Sequence, residues 1–100
     1  MARIIWTEPA LQELDEIADY ISLYSPKAAK KLVRKAFKRV DYVAQHPKSG
    51  KPVQEFEVSV YREIILPPCR IFYRMEDEII FIIHLIREEQ ILHTDILKSR

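Results

Sequence analysis

The stretch Tyr61 to Arg74, YREIILPPCRIFYR, sets two short apolar runs on either side of a double proline, with a Tyr-Arg dipeptide near each outer end. Folded back about Pro67-Pro68 it becomes an antiparallel hairpin in which residue 65 faces 70, 63 faces 72 and 61 faces 74. Alternation then puts Arg62, Ile64, Leu66, Cys69, Ile71 and Tyr73 on one face, mostly apolar and suited to lie under helices. Tyr61, Glu63, Ile65, Arg70, Phe72 and Arg74 share the other, with Glu63 diagonal to both arginines. That second face is mixed, so it is expected to be open or covered by something polar. Proline cannot adopt the positive φ of the common two-residue hairpin turns, so a cis-proline turn or a four-residue loop in the same register is expected.

On the C-terminal side, Glu76-Asp77-Glu78 leads into Ile79 to Ile86, an almost wholly apolar run expected to be a central strand covered on both faces. The tail REEQILHTDILKSR has apolar residues at 91, 92, 96 and 97, which fits a short helix or a docked extended tail. On the N-terminal side, Ala2 to Trp6 is short and β-prone, and Thr7-Glu8-Pro9 is a helix start: a capping hydroxyl, an acid and a proline in the first turn. Ala10, Leu11, Leu14, Ile17, Ala18 and Ile21 then form one stripe of a helix over about 8 to 23. Ser25-Pro26 repeats the start signal, and Ala29, Leu32, Val33, Ala36, Phe37, Val40 and Ala44 form the stripe of a second helix that Pro47 stops near His46. The one or two residues between them predict an antiparallel helical hairpin. A turn, KSGKP, carries the chain's single glycine and leads to the strands. The fold class is α+β: an antiparallel twisted sheet, made of the N-terminal strand plus three C-terminal strands near 60–66, 70–75 and 79–86, packed against an N-terminal helical hairpin.

One hundred residues form a single domain, 1–100, large enough for one core without metal or disulfide. With 31% charged residues and a net charge of +1, bulk charge indicates neither disorder nor general attraction to nucleic acid. A single cysteine excludes an internal disulfide, MARIIWTEP lacks the apolar segment of a signal peptide, and the longest apolar run is too short to span a bilayer as a helix. A cytoplasmic protein with no membrane partner is expected.

The helices differ in sign. The first carries Glu8, Glu13, Asp15, Glu16 and Asp19; the second carries seven cations in the thirteen positions from Lys27 to Arg39. These charges either pair across the hairpin and face solvent, or Lys31, Arg34, Lys38 and their neighbours present a basic ridge to an acidic partner or a phosphate backbone. A ridge made mainly of lysine is unsuited to reading DNA bases. Arg62, Arg70 and Arg74 either bury their stems and pair with Glu63 or helix acids, or form a partner- or phosphate-binding face. His46, His84 and His93 are too scattered for a metal site, so no metal or other cofactor is expected. His84 is expected to be a packed strand residue and Cys69 an inert buried thiol. One glycine cannot build a phosphate loop.

Taken in order, WTEPALQELDEIADYI, SPKAAKKLV, HPKSGKPV, YREIILPPCRIFYR and the apolar strand running into HLIRE resemble the RelE/ParE family of bacterial type II toxins, which includes plasmid-stabilisation toxins. The likeness covers nearly the whole chain. It implies a toxin domain neutralised by a cognate antitoxin lying along the hairpin groove and the sheet. It also implies one of two activities: RelE-like members cleave mRNA in the ribosome, whereas ParE-like members poison DNA gyrase by binding and lack the nuclease residues. The nuclease-type arginine of the family would fall at Ile65, Leu66 or Pro67, and Cys69 stands where a tyrosine would, which counts against cleavage. Arg87 and His93 occupy positions resembling those of a nuclease arginine and of its C-terminal tyrosine or histidine, so with Arg62 they are the catalytic candidates if the chain cleaves RNA. The long, sharply capped hairpin looks like ParE, and the expectation is a gyrase-binding toxin rather than an enzyme. A member that survives only as the antitoxin's partner is the third possibility. Arg62, Arg70, Arg74, Arg87, Lys31, Arg34 and Lys38 are the expected target- or partner-binding residues.

Overall fold

The computed structural model describes residues 2–56 and 60–100. The chain runs β1 (Arg3–Trp6), α1 (Glu8–Ser22), α2 (Pro26–Gln45), β2 (Lys51–Pro52), β3 (Tyr61–Leu66), β4 (Cys69–Glu76), β5 (Ile79–Arg87) and α3 (Thr94–Ser99). Both long helices start as their caps require: the Thr7 hydroxyl accepts from the Ala10 N–H and the Ser25 hydroxyl from the Ala28 N–H, each followed by a proline in the first turn. Thr7 also donates its hydroxyl proton to the Ile82 carbonyl at 2.7 Å, so one side chain caps α1 and ties it to β5.

The sheet order is β1-β5-β4-β3-β2. In the β3–β4 hairpin, Tyr61 pairs with Arg74, Glu63 with Phe72 and Ile65 with Arg70, and the Pro67-Pro68 bond that closes it is cis. Two features depart from the expected sheet. Lys51–Pro52, read as turn, adds a fifth strand opposite Arg62 and Glu63. β1 lies parallel to β5, because the helical hairpin carries the chain across the sheet before the strands resume. A register shift lies between Phe72 and Tyr73, which pair with His84 and Ile82, so Ile83 is the extra residue of a bulge in β5. The turn from β4 to β5 places Asp77 at φ 54° and Glu78 at φ 50°, the left-handed pair of a two-residue hairpin turn.

The main core fills the space between sheet and helices, from Ala10, Leu14 and Ile17 on α1 and Leu32, Ala36, Val40 and Val43 on α2 to Ile64, Leu66, Cys69, Ile71, Tyr73, Ile80, Ile82 and Leu85 on the strands. Three residues of the predicted stripes lie at its margin: Leu11 and Phe37 are exposed and Val33 half-buried, and together they line a groove between α1 and α2. The opposite face corrects an expectation. Instead of being open or polar, it is covered by a second apolar cluster of Val53, Phe72, Ile83, Ile86, Leu92 and Leu97, because α3 and the 53–56 segment after β2 fold over it. Its arginines stay at the rim, where each finds a carboxylate: Arg70 with Glu55 and Glu63, Arg74 with Glu76.

Candidate functional site: the cleft beside the end of strand β5

β1 accompanies β5 only as far as Ile82, so among the described residues the far half of β5 has no strand on that side. Its backbone groups must find other partners. Side chains supply them. The Leu85 N–H donates to Glu13 Oε1 at 3.2 Å, Arg100 Nη1 donates to the Ile83 carbonyl at 2.9 Å, and the Arg87 N–H donates to Gln90 Oε1 at 2.7 Å. Between these substitutes and the 90–96 segment lies a cleft of about 620 Å³, lined among others by Glu13, Glu16, Tyr20, His84, Arg87, Gln90 and His93.

Glu13, His84 and Arg100 form one network. Arg100 Nη1 donates to Glu13 Oε1 at 2.8 Å, and His84 Nδ1 lies 2.9 Å from the Glu13 carboxylate and 3.0 Å from Arg100 Nη1. Nδ1 serves one of these neighbours in each tautomer: carrying the hydrogen it donates to Glu13, and without it it accepts from Arg100. Burial pushes the Glu13 carboxyl up, but hydrogen bonds from His84 and Arg100 outweigh it and hold the group below its ordinary value. His84 is packed, as its setting in an apolar strand predicts, with its ring stacked on Phe72 at 5.7 Å. Its partners Glu13 and Arg100 escaped the sequence reading. The available signal was the lone polar residue of IIFIIHLI, which must have a partner if buried.

Arg87 and His93 line the same cleft. The Arg87 guanidinium lies over the Tyr20 ring at 4.5 Å and pairs with Glu89 at 2.9 Å. Arg62 is elsewhere, on β3, donating to the Lys48 and Gly50 carbonyls at 3.3 and 2.7 Å. Arg70 is held by both oxygens of Glu55 and by Glu63 at 2.6 Å, and it lies over Phe72. The Glu55 hydrogen bonds, followed by those of Glu63, hold that guanidinium still more firmly protonated, and Arg70 in turn holds the Glu55 carboxyl low. Arg74 pairs with Glu76 and covers Phe81 at 4.4 Å. Lys31, Arg34 and Lys38 lie exposed on α2, away from the cleft. Burial pushes the Cys69 thiol up to about 11, so at neutral pH it carries no thiolate to act as a nucleophile.

Residues 4–92 match the family model described as the ParE toxin of the type II toxin-antitoxin system parDE. The chain belongs to the ParE toxin family. This ParE-family chain is 31% identical over 86 residues to Toxin RelE2 of Caulobacter vibrioides, a match covering 85% of the chain and 93% of the relative. It is 38% identical over 86 residues to the Y4kP protein of Sinorhizobium fredii, covering 82% and 86%. Among solved structures it is similar to a chain of the chromosomal ParDE toxin-antitoxin system of P. aeruginosa, with a TM-score of 0.72 and 29% identity over 89% of this chain and 98% of that one. A chain of the RelBE2 toxin-antitoxin complex of Mycobacterium tuberculosis shares the fold, with a TM-score of 0.59 and 20% identity over 87% and 98%. The RelE/ParE fold, a helical hairpin on a mostly antiparallel sheet, is thus the architecture that the stripes and the hairpin predict.

Proposed function

We propose that this ParE-family toxin acts by binding, with DNA gyrase as its target, and that a cognate antitoxin silences it in the cytoplasm. The observation that carries this reading is the state of the arginines. Cleavage of RNA by such a domain would need unpaired cations converging on one phosphate, to stabilise the charge that develops on it. Here Arg87 is paired with Glu89 and stacked on Tyr20, Arg70 is enclosed by two carboxylates, and Arg62 lies two strands away from the cleft. No residue between Ile65 and Cys69 supplies a further cation.

The antitoxin fits the groove between α1 and α2, where Leu11, Val33 and Phe37 leave apolar surface uncovered and α2 offers cations to an acidic partner. A second reading, RelE-like cleavage of mRNA on the ribosome, is favoured by one arrangement: Arg87, His93 and His84 line a single cleft. Purified protein added to gyrase and supercoiled plasmid separates the two. Accumulation of cleaved gyrase–DNA complexes, with mRNA left intact in a translating extract, is the expected result. Cut mRNA without gyrase cleavage complexes would establish the second reading, and neither effect would leave a chain that serves only as the antitoxin's partner.

A further inference from the structure

We propose that the outer face of α2 and the loop after it form a binding surface for the phosphate backbone of duplex DNA. All seven cations between Lys27 and Arg39 are exposed, and among the described residues none enters a salt bridge. The acids of α1 lie on the neighbouring helix, yet the pairing across the hairpin that the sequence allowed does not form. Asp41 is the single acid in α2.

Helical periodicity spreads the cations over one broad arc. At one end of it Lys30 and Arg34 border the groove facing α1, which Asp19 also lines. Lys27 and Lys38 lie next to Arg34 on the arc, and Lys31, Lys35 and Arg39 turn progressively further from α1, over roughly 18 Å of helix at about 1.5 Å per residue. The acidic neighbour repels a polyanion, which confines its approach to the part of the arc away from α1. The surface then continues past the helix end, where Arg39, Ser49 and Lys51 line a depression of about 230 Å³ with no acid among the described residues of its lining. Lys51 lies 3.8 Å from Glu63, so Arg39 is the cation there with no salt bridge among the described residues.

The kind of partner follows from density and shape. Five unpaired cations along one ridge match a continuous polyanion, and a duplex presents about one charge per 1.7 Å of its axis. A convex helix of about 10–12 Å diameter enters a major groove about 12 Å wide. Lysines act as point charges and lack the planar fork that reads guanine, so the contact is to backbone rather than to bases. A single strand would require several aromatic platforms, whereas this side offers Tyr42, already stacked on His46 at 4.4 Å. The inference stands apart from the choice of toxin target.

Fluorescence anisotropy of a labelled 24-base-pair duplex of arbitrary sequence tests it. At 150 mM salt the protein should bind with a Kd in the range of about 1–100 μM, and roughly 100-fold more tightly at 50 mM. With about five phosphates contacted, raising salt from about 50 to 200 mM should weaken binding roughly 500-fold. The triple variant Lys31→Gln, Lys35→Gln, Lys38→Gln, its fold verified by circular dichroism, should reduce that change to roughly tenfold. Lys98→Gln, on the opposite face, should leave it unaltered. Absence of binding at 50 mM salt, or an unchanged salt dependence in the triple variant, would overturn the proposal. So would tighter binding to single-stranded RNA, or to polyglutamate of equal charge, each of which would assign the ridge to another partner.

Discussion

Gly50 shows how one small residue sets the geometry between two layers. Its N–H donates to the Tyr73 hydroxyl at 3.0 Å, and that hydroxyl donates to the Pro47 carbonyl at 2.8 Å, so a buried phenol from β4 fastens the loop leaving α2. A Cβ at position 50 would meet the Tyr73 hydroxyl at 2.5 Å and the Glu63 carbonyl at 2.9 Å. Glycine is required there for space, since its φ is not positive. Gly50→Ala should therefore destabilise the fold by about 1–3 kcal/mol, as overpacking does. Thermal denaturation should register this as a fall in Tm of at least about 4 °C; an unchanged Tm would mean that the loop can move aside freely. Cys69, Arg70 and Glu63 were legible at this level from strand parity, which put the thiol inward and the ion pair on one face. Glu55 was not, because its contact with Arg70 spans a connection whose path the local pattern does not specify.

Among the elements, α1 and α3 each complete β5 beyond its strand neighbours. Glu13 of α1 serves as a substitute strand partner for β5, and its lowered carboxyl pKa makes this an acid-sensitive contact. The group contributes stability that is present above its unfolded value of 4.5 and is lost as pH falls through the lower folded value. Glu13→Gln should thus lose about 1–3 kcal/mol at pH 7. Its stability should also vary less than the wild type's between pH 5 and pH 3, measured by urea unfolding; parallel curves would remove Glu13 from the acid response. α3 is held chiefly by apolar burial on the second face. Leu97, fully buried, should cost about 2–5 kcal/mol when cut to alanine. Ile91, which is 79% exposed, should cost no more than about 0.5 kcal/mol. Similar losses at both positions would contradict this packing.

For the molecule as a whole, three regions separate in space: the apolar groove of the hairpin, the cleft beside β5 and the basic side of α2. Induced expression in bacteria tests the cleft. Arg87→Ala should relieve growth inhibition while the purified variant keeps its circular dichroism spectrum. His93→Ala should leave inhibition intact if the toxin acts by binding, and abolish it only if the chain cleaves RNA. Full toxicity in Arg87→Ala would take Arg87 out of the functional surface.

The helix stripes, both capped starts, the Pro-Pro hairpin and its register are local properties. They rest on side-chain period, on hydroxyl caps and on proline's restrictions, all of which act over a few residues, so the chain order alone carried them. The parallel placement of β1, the second apolar cluster, the Glu13–His84–Arg100 network and the unpaired state of the α2 cations depend on contacts between residues far apart in the chain. Glu13 and His84, for instance, are 71 positions apart. Such contacts come from how layers stack and where a strand ends beside its neighbour, which no window of the sequence contains.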